Sequence, residues 1–200
     1  MPSDDKIGLM EKRYVSPEIA ERKYAAAGLM IFIFNDKNEV FVLKEKQTTK
    51  THNEGDKGVP CETKEKGEKW QDCLRRVFEE EFGISWKDVC GMVYFNPESV
   101  CVRQGGSMSI GEDESTVLAT TLKLYCSQPD RLIELAKKND EVETVGWKPL
   151  SYLRGSQDLR QDVWRVMEES ILSGTLSKDG SNFDVGEMVS LNEFSDEILV

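Results

Sequence analysis

Residues 62–84 read ETKEKGEKWQDCLRRVFEEEFGI, and the spacing inside this stretch decides how the chain around it must fold. Apolar residues fall at Trp70, Cys73, Leu74, Val77 and Phe78, the i, i+3, i+4, i+7, i+8 pattern of an amphipathic helix, and Gly83 follows at the usual stop position. The pattern predicts a helix over residues 68–82. On an α-helix Glu80 and Glu81 lie three and four residues beyond residue 77 and share its face. Carboxylates crowded there repel. They become favourable when a divalent cation sits between them, because hard cations choose oxygen ligands and bridge charge. Arg76, four residues before Glu80, can orient that carboxylate by a charge-assisted bond, and Glu68 near the helix start can do the same for Arg76.

Upstream of this stretch, residues 25–34 (AAAGLMIFIF) and 40–46 (VFVLKEK) are β-rich runs joined by the turn residues 35–39 (NDKNE), the signature of a hairpin. Residues 47–69 are almost wholly polar and carry Gly55, Gly58, Pro60 and Gly67, which predicts a long loop with tight turns of the kind that usually serves function. Downstream, residues 90–95, 99–104 and 116–126 read as strands, and GGSMSIGEDES between the last two reads as a mobile acidic connection. Helices are expected over residues 129–138 and 159–171, with a short strand at 143–148 between them. Strands on both sides of one helix imply a mixed sheet and the α/β class. Residues 1–23 are charged, with a short helix expected after Pro17, and read as an N-terminal arm. Residues 172–200, rich in Ser, Gly, Asp and Glu, read as an acidic, weakly ordered C-terminal tail.

At 200 residues the chain fits one core, here residues 24–171, and 38% apolar with 32% charged residues suits a globular domain. A formal net charge of -11 argues against nucleic acid or an anionic membrane as partner, since Lys and Arg supply most of that attraction. An anionic ligand would need a bridging cation. The five cysteines are scattered without a C-x-x-C pair and His52 is the only histidine, so structural zinc and a disulfide framework are not expected. No secretory signal is read at the charged N-terminus, the apolar run at 25–34 is too short to span a bilayer, and the expected location is the cytoplasm.

The same 62–84 stretch resembles the Nudix box, G-x5-E-x7-R-E-U-x-E-E-x-G-U, in which U is a bulky apolar residue. Glu68, Arg76, Phe78, Glu80, Glu81, Gly83 and Ile84 fall at the family spacing. Residues 28–43 are similar to the family's first hairpin and residues 141–153 to its late strand and the turn into its last helix. The resemblance implies an α/β/α sandwich around a mixed β-sheet. It implies a divalent-metal-dependent hydrolase, using Mg2+ or Mn2+, that splits the pyrophosphate bond of a nucleoside diphosphate linked to another group. In that reading Glu80, Glu81 and Arg76 are the catalytic residues, Glu80 and Glu81 ligate the metal, and the substrate is a small-molecule nucleotide. Oligomeric state, a homodimer included, is left open.

Two positions depart from the box. The glutamate that ligates metal in the family is Val77, and the glycine that opens the box is Glu62, preceded by Cys61 where a second glycine is common. Both replacements at the box opening restrict positive φ. Two readings therefore stand. In one, another carboxylate replaces the missing group, with Glu112, Asp113 and Glu114 of the acidic connection as the source and Glu112 as the added metal ligand. In the other, Val77 extends the apolar face, and the domain is a catalytically inactive nucleotide-sensing or protein-interaction module. His52 and Glu68 are the candidates for contact with substrate. Cys61 as a reactive thiol and Trp147 or Tyr94 as base-stacking rings are weaker candidates, and Gly105 and Gly106 sit in no phosphate-binding fingerprint.

Overall fold

The computed structural model describes residues 9–10, 26–46, 57–96, 101–110, 113–136, 142–172, 176 and 188–196. The continuous apolar run of the first hairpin forms β2 (Ala26–Phe34), which lies inside the sheet. It pairs in parallel with β8 (Asp113–Cys126) along its whole length and antiparallel with β3 (Glu39–Glu45). A strand covered on both faces needs apolar side chains at every position rather than at alternate ones. The period of two then sorts them: Leu29, Ile31 and Ile33 enter one hydrophobic cluster, while Met30, Phe32 and Phe34 enter the other. Asn35 and Asn38 make the expected hairpin. The Asn35 Oδ1 accepts the N–H groups of Lys37 and Glu39 at 2.9 Å each, and Asn38 takes φ 58°.

The sheet is mixed and runs β1 (Leu9–Met10), β7 (Cys101–Ile110), β8, β2, β3, β4 (Lys57–Gly58); four further strands branch from this path. β9 (Val142–Pro149) pairs with β3, β5 (Cys61–Thr63) with β2, β6 (Val93–Phe95) with β8, and β10 (Val189–Ser190) with β6. One face carries α1 (Trp70–Arg76), continued by a π-helical turn (Val77–Glu81), and α2 (Trp86–Cys90), which pack Trp70, Leu74, Phe78 and Val89 on the sheet. The other face carries α4 (Leu150–Arg154) and α5 (Gln161–Leu172), through Leu150, Leu153, Val163, Val166 and Met167. α3 (Pro129–Leu135) precedes β9. This is the α/β/α sandwich expected.

Several local expectations are corrected. The polar segment 57–69 holds two short strands, β4 and β5, because neighbouring strands supply their partners; CET at β5 carries no strand pattern of its own. The acidic connection is shorter than expected. β7 and β8 run on to Ile110 and from Asp113, pairing Ser109 with Glu114, and only residues 111–112 between them fall outside the described residues. Residues 188–196, read as part of a weakly ordered tail, include β10 and the 3-10 turn Leu191–Glu193, with Leu191 and Phe194 fully buried. Leu191 and Phe194 alone were too few to give a periodicity, and Phe194 finds its place against Phe95, 5.3 Å between ring centroids. Leu9 and Met10 of the N-terminal arm pair with Arg103 and Val102. The helix expected after Pro17 lies outside the described residues. Among the described residues no helix is long and apolar enough to cross a membrane.

Candidate functional site

The site is organised by α1 and the π turn that extends it. Lys69 at the N-cap gives no side-chain cap, and the exposed N–H groups of the first turn are met from far along the chain. The Asp196 carboxylate accepts from Trp70 N–H at 3.2 Å and Gln71 N–H at 3.0 Å. The helix then buries Trp70, Cys73, Leu74, Val77 and Phe78 and closes on Gly83, at φ 63°, with Ile84 N–H donating to the Phe78 carbonyl at 3.0 Å.

Within the turn, the sequence put residue 77 and the two glutamates on one helix face. That expectation assumed α-helical spacing, whereas Val77–Glu81 is a π turn, whose wider winding changes the phase of successive side chains. Val77 is fully buried in the core, while the Glu80 side chain is 61% exposed and Glu81 is partly buried. Val77 thus contributes packing to the core.

Arg76 is the centre of the polar network. Its Nε and Nη2 each donate to one oxygen of Glu68 at 3.1 Å, a two-pronged pairing, and Nη2 also donates to the Thr63 carbonyl at 2.7 Å. The remaining nitrogen, Nη1, lies 3.0 Å from Glu62 Oε1 and 3.6 Å from Glu80 Oε2. Glu68 is further held by the Glu65 N–H at 2.7 Å. Burial pushes the Glu68 carboxyl up, but the bonds from Arg76 and the Glu65 N–H outweigh it and hold the group below the ordinary carboxylate value. The Glu68 bond in turn raises Arg76, against the smaller effect of its burial, so the pair is ionised. Both Glu68 oxygens are engaged on the protein, by Arg76 and by the Glu65 N–H.

Glu62, at the position where the box has glycine, sits in extended strand β5 opposite Leu29, so no positive φ is demanded of it or of Cys61. The close approach that needs a glycine has moved to the partner strand. A Cβ built on Gly28 would lie 2.7 Å from the Glu62 carbonyl oxygen. The participation of the Glu62 carboxylate was missed from sequence, although a charged residue at a glycine position is itself a signal. Asp196 left no comparable trace.

His52 and Glu112 lie outside the described residues. Asp113 and Glu114 begin β8, where they pair with Ile110 and Ser109. Among the described residues no group of three or more His, Cys, Asp or Glu side chains is arranged as a preformed metal cage. The oxygen donors of Glu80 and Glu81 nevertheless suit Mg2+ or Mn2+ in the open form such ions often take, with one or two carboxylates completed by water and substrate phosphate. Cys73 and Cys126 are buried thiols, pushed up to about 12 and about 11 by burial. Trp147 packs on Phe41, 5.1 Å between centroids, and its indole N–H donates to the Pro129 carbonyl at 3.1 Å, which accounts for it as core.

The fold and the Glu68–Arg76 pairing define the class: this chain belongs to the Nudix family, whose NUDIX domain model matches residues 24–169. Solved structures of the same fold include a MutT protein from Methanosarcina mazei Go1, at 19% identity and TM-score 0.51, covering 76% of this chain and 96% of that one. A C. elegans Ap4A hydrolase in a binary complex matches at 13% identity and TM-score 0.51, covering 75% and 99%. A NUDIX hydrolase from Nitrosomonas europaea matches at 16% identity and TM-score 0.50, covering 75% and 90%. At these identities the likeness carries the fold. No curated protein matches the chain.

Proposed function

We propose that this chain is a divalent-cation-dependent hydrolase that splits the pyrophosphate bond of a small nucleotide, a nucleoside diphosphate linked to another group, in the cytoplasm. The observation that carries the reading is the charged line Glu68, Arg76, Glu80, in which two hydrogen bonds from Glu68 hold the guanidinium and its Nη1 lies 3.6 Å from the Glu80 carboxylate. Glu80 and Glu81 would hold Mg2+ or Mn2+, and His52 and Glu112 remain the proposed additions to substrate and metal binding. When bound, the cation offsets phosphate charge and makes water a better nucleophile at neutral pH. Arg76 keeps Glu80 oriented toward solvent, where its carboxylate can also accept a proton from attacking water.

The test is a panel of nucleotide sugars, dinucleoside polyphosphates, NAD-type cofactors and nucleoside triphosphates with Mg2+ or Mn2+, read as nucleotide or phosphate release. Glu81→Gln is expected to lower that release about a hundredfold; full activity in this variant overturns the assignment. A second reading, an inactive nucleotide-sensing or protein-interaction module, is favoured by the burial of Val77 where the family has an acid. Calorimetry on the same panel separates the two, since heat of binding without product supports the sensor and turnover supports the enzyme.

A further inference from the structure

Two positions depart from the box. At residue 77 a carboxylate is lost, and at residue 62 one is gained. The gained group is placed on Arg76, with Oε1 3.0 Å from Nη1 and anchored by the Thr63 N–H at 2.9 Å. Both side chains are less than one-fifth exposed, 19% for Glu62 and 18% for Arg76, so the contact is shielded from the screening that weakens surface pairs. Nη1 is the same nitrogen that faces Glu80 at 3.6 Å, beyond hydrogen-bonding distance. Arg76 and Glu80 carry opposite charges 3.6 Å apart, close enough to attract each other unless another carboxylate competes for the guanidinium.

We propose that Glu62 is a positioning residue that draws Arg76 away from Glu80, so that the Glu80 carboxylate is held beside the guanidinium without being tied to it and can take a divalent cation. This rests on the reading of Glu80 as a cation ligand. Without Glu62, Nη1 closes on Glu80 and competes with the cation for the same oxygens.

The probe is Mn2+ alone, titrated into the full chain and followed by the loss of the free-ion paramagnetic resonance signal. Glu62→Gln is close in size and keeps an oxygen for the Thr63 N–H, so the variant should fold. Its Mn2+ affinity is expected to fall about tenfold, and the loss is expected to vanish when the comparison is repeated on an Arg76→Met background. An unchanged affinity overturns the inference, as does the absence of Mn2+ binding by the unmodified chain. A loss of equal size on the Arg76→Met background also overturns it, because Glu62 would then act as a direct ligand or through its charge. Should Arg76→Met fail to fold, exposed Glu65 on the same loop provides the control: a loss in Glu62→Gln no larger than in Glu65→Gln overturns the inference. The hydrolase reading fails separately. A chain that binds Mn2+ in this Glu62-dependent way yet releases no product keeps the positioning role, and one that turns over substrate with unchanged affinity in Glu62→Gln loses only that role.

Discussion

The carboxylate of Asp196 caps the helix that begins at Trp70, accepting its N–H at 3.2 Å across 126 residues of chain. A neighbouring bond of 3.0 Å from Gln71 shares the load, and the segment bearing Asp196 is pinned by buried Leu191 and Phe194. The start of the box helix is therefore tied to the other end of the chain.

Replacing Asp196 by Ala leaves two helix donors to water and should cost about 1 kcal/mol. In a domain of this size that lowers Tm by roughly 2–4 °C. Thermal melts check the figure, and faster hydrogen exchange at the Trp70 and Gln71 amides locates the effect. An unchanged melt together with unchanged exchange rules out the cap.

Glu68→Gln should destabilise the fold by roughly 1.5–3 kcal/mol near neutral pH, the range for hydrogen bonds to charged groups. The sign of its pH dependence follows from a folded pKa held below the ordinary carboxylate value. The stabilisation from Glu68 is present in full above the unfolded value, about 4.3, and is lost as pH falls through the folded one. Melts between pH 3 and pH 8 should show wild type and variant converging in acid and separated by a constant gap above about pH 5–6. A gap that widens in acid contradicts the assigned direction.

Val77→Glu restores the family residue in sequence but sends a carboxylate into a fully buried position of the core. Its expected cost is roughly 2–4 kcal/mol, from burying a charge and disturbing the packing around Phe78. Urea denaturation gives the value directly. A variant as stable as the parent and with stronger Mn2+ binding would mean that a carboxylate at residue 77 reaches the acidic group without being buried.

How much was legible differs from element to element. β2 could be read because a ten-residue apolar run bounded by Asn35 has few other ways to be buried. α1 could be read because five apolar side chains repeat at helical spacing, and Glu68 with Arg76 because Glu68 lies at the helix start within reach of a long guanidinium side chain. β5 could not, because Cys61, Glu62 and Thr63 pair only when Gly28, Leu29 and Met30 are alongside. The π turn escaped as well: spacing rules assume regular winding, and where a helix widens is set by how Val77 and Phe78 seat against the sheet.

The family and the charged line from Glu68 to Glu80 were determined by the sequence itself, since each depends on residues close together whose spacing is a local property. Which carboxylate holds the last nitrogen of Arg76, and which one caps the helix, was decided by tertiary structure alone. Glu62 and Asp196 reach their partners through strand pairing and the burial of distant apolar groups, and contacts made that way leave no period in the chain.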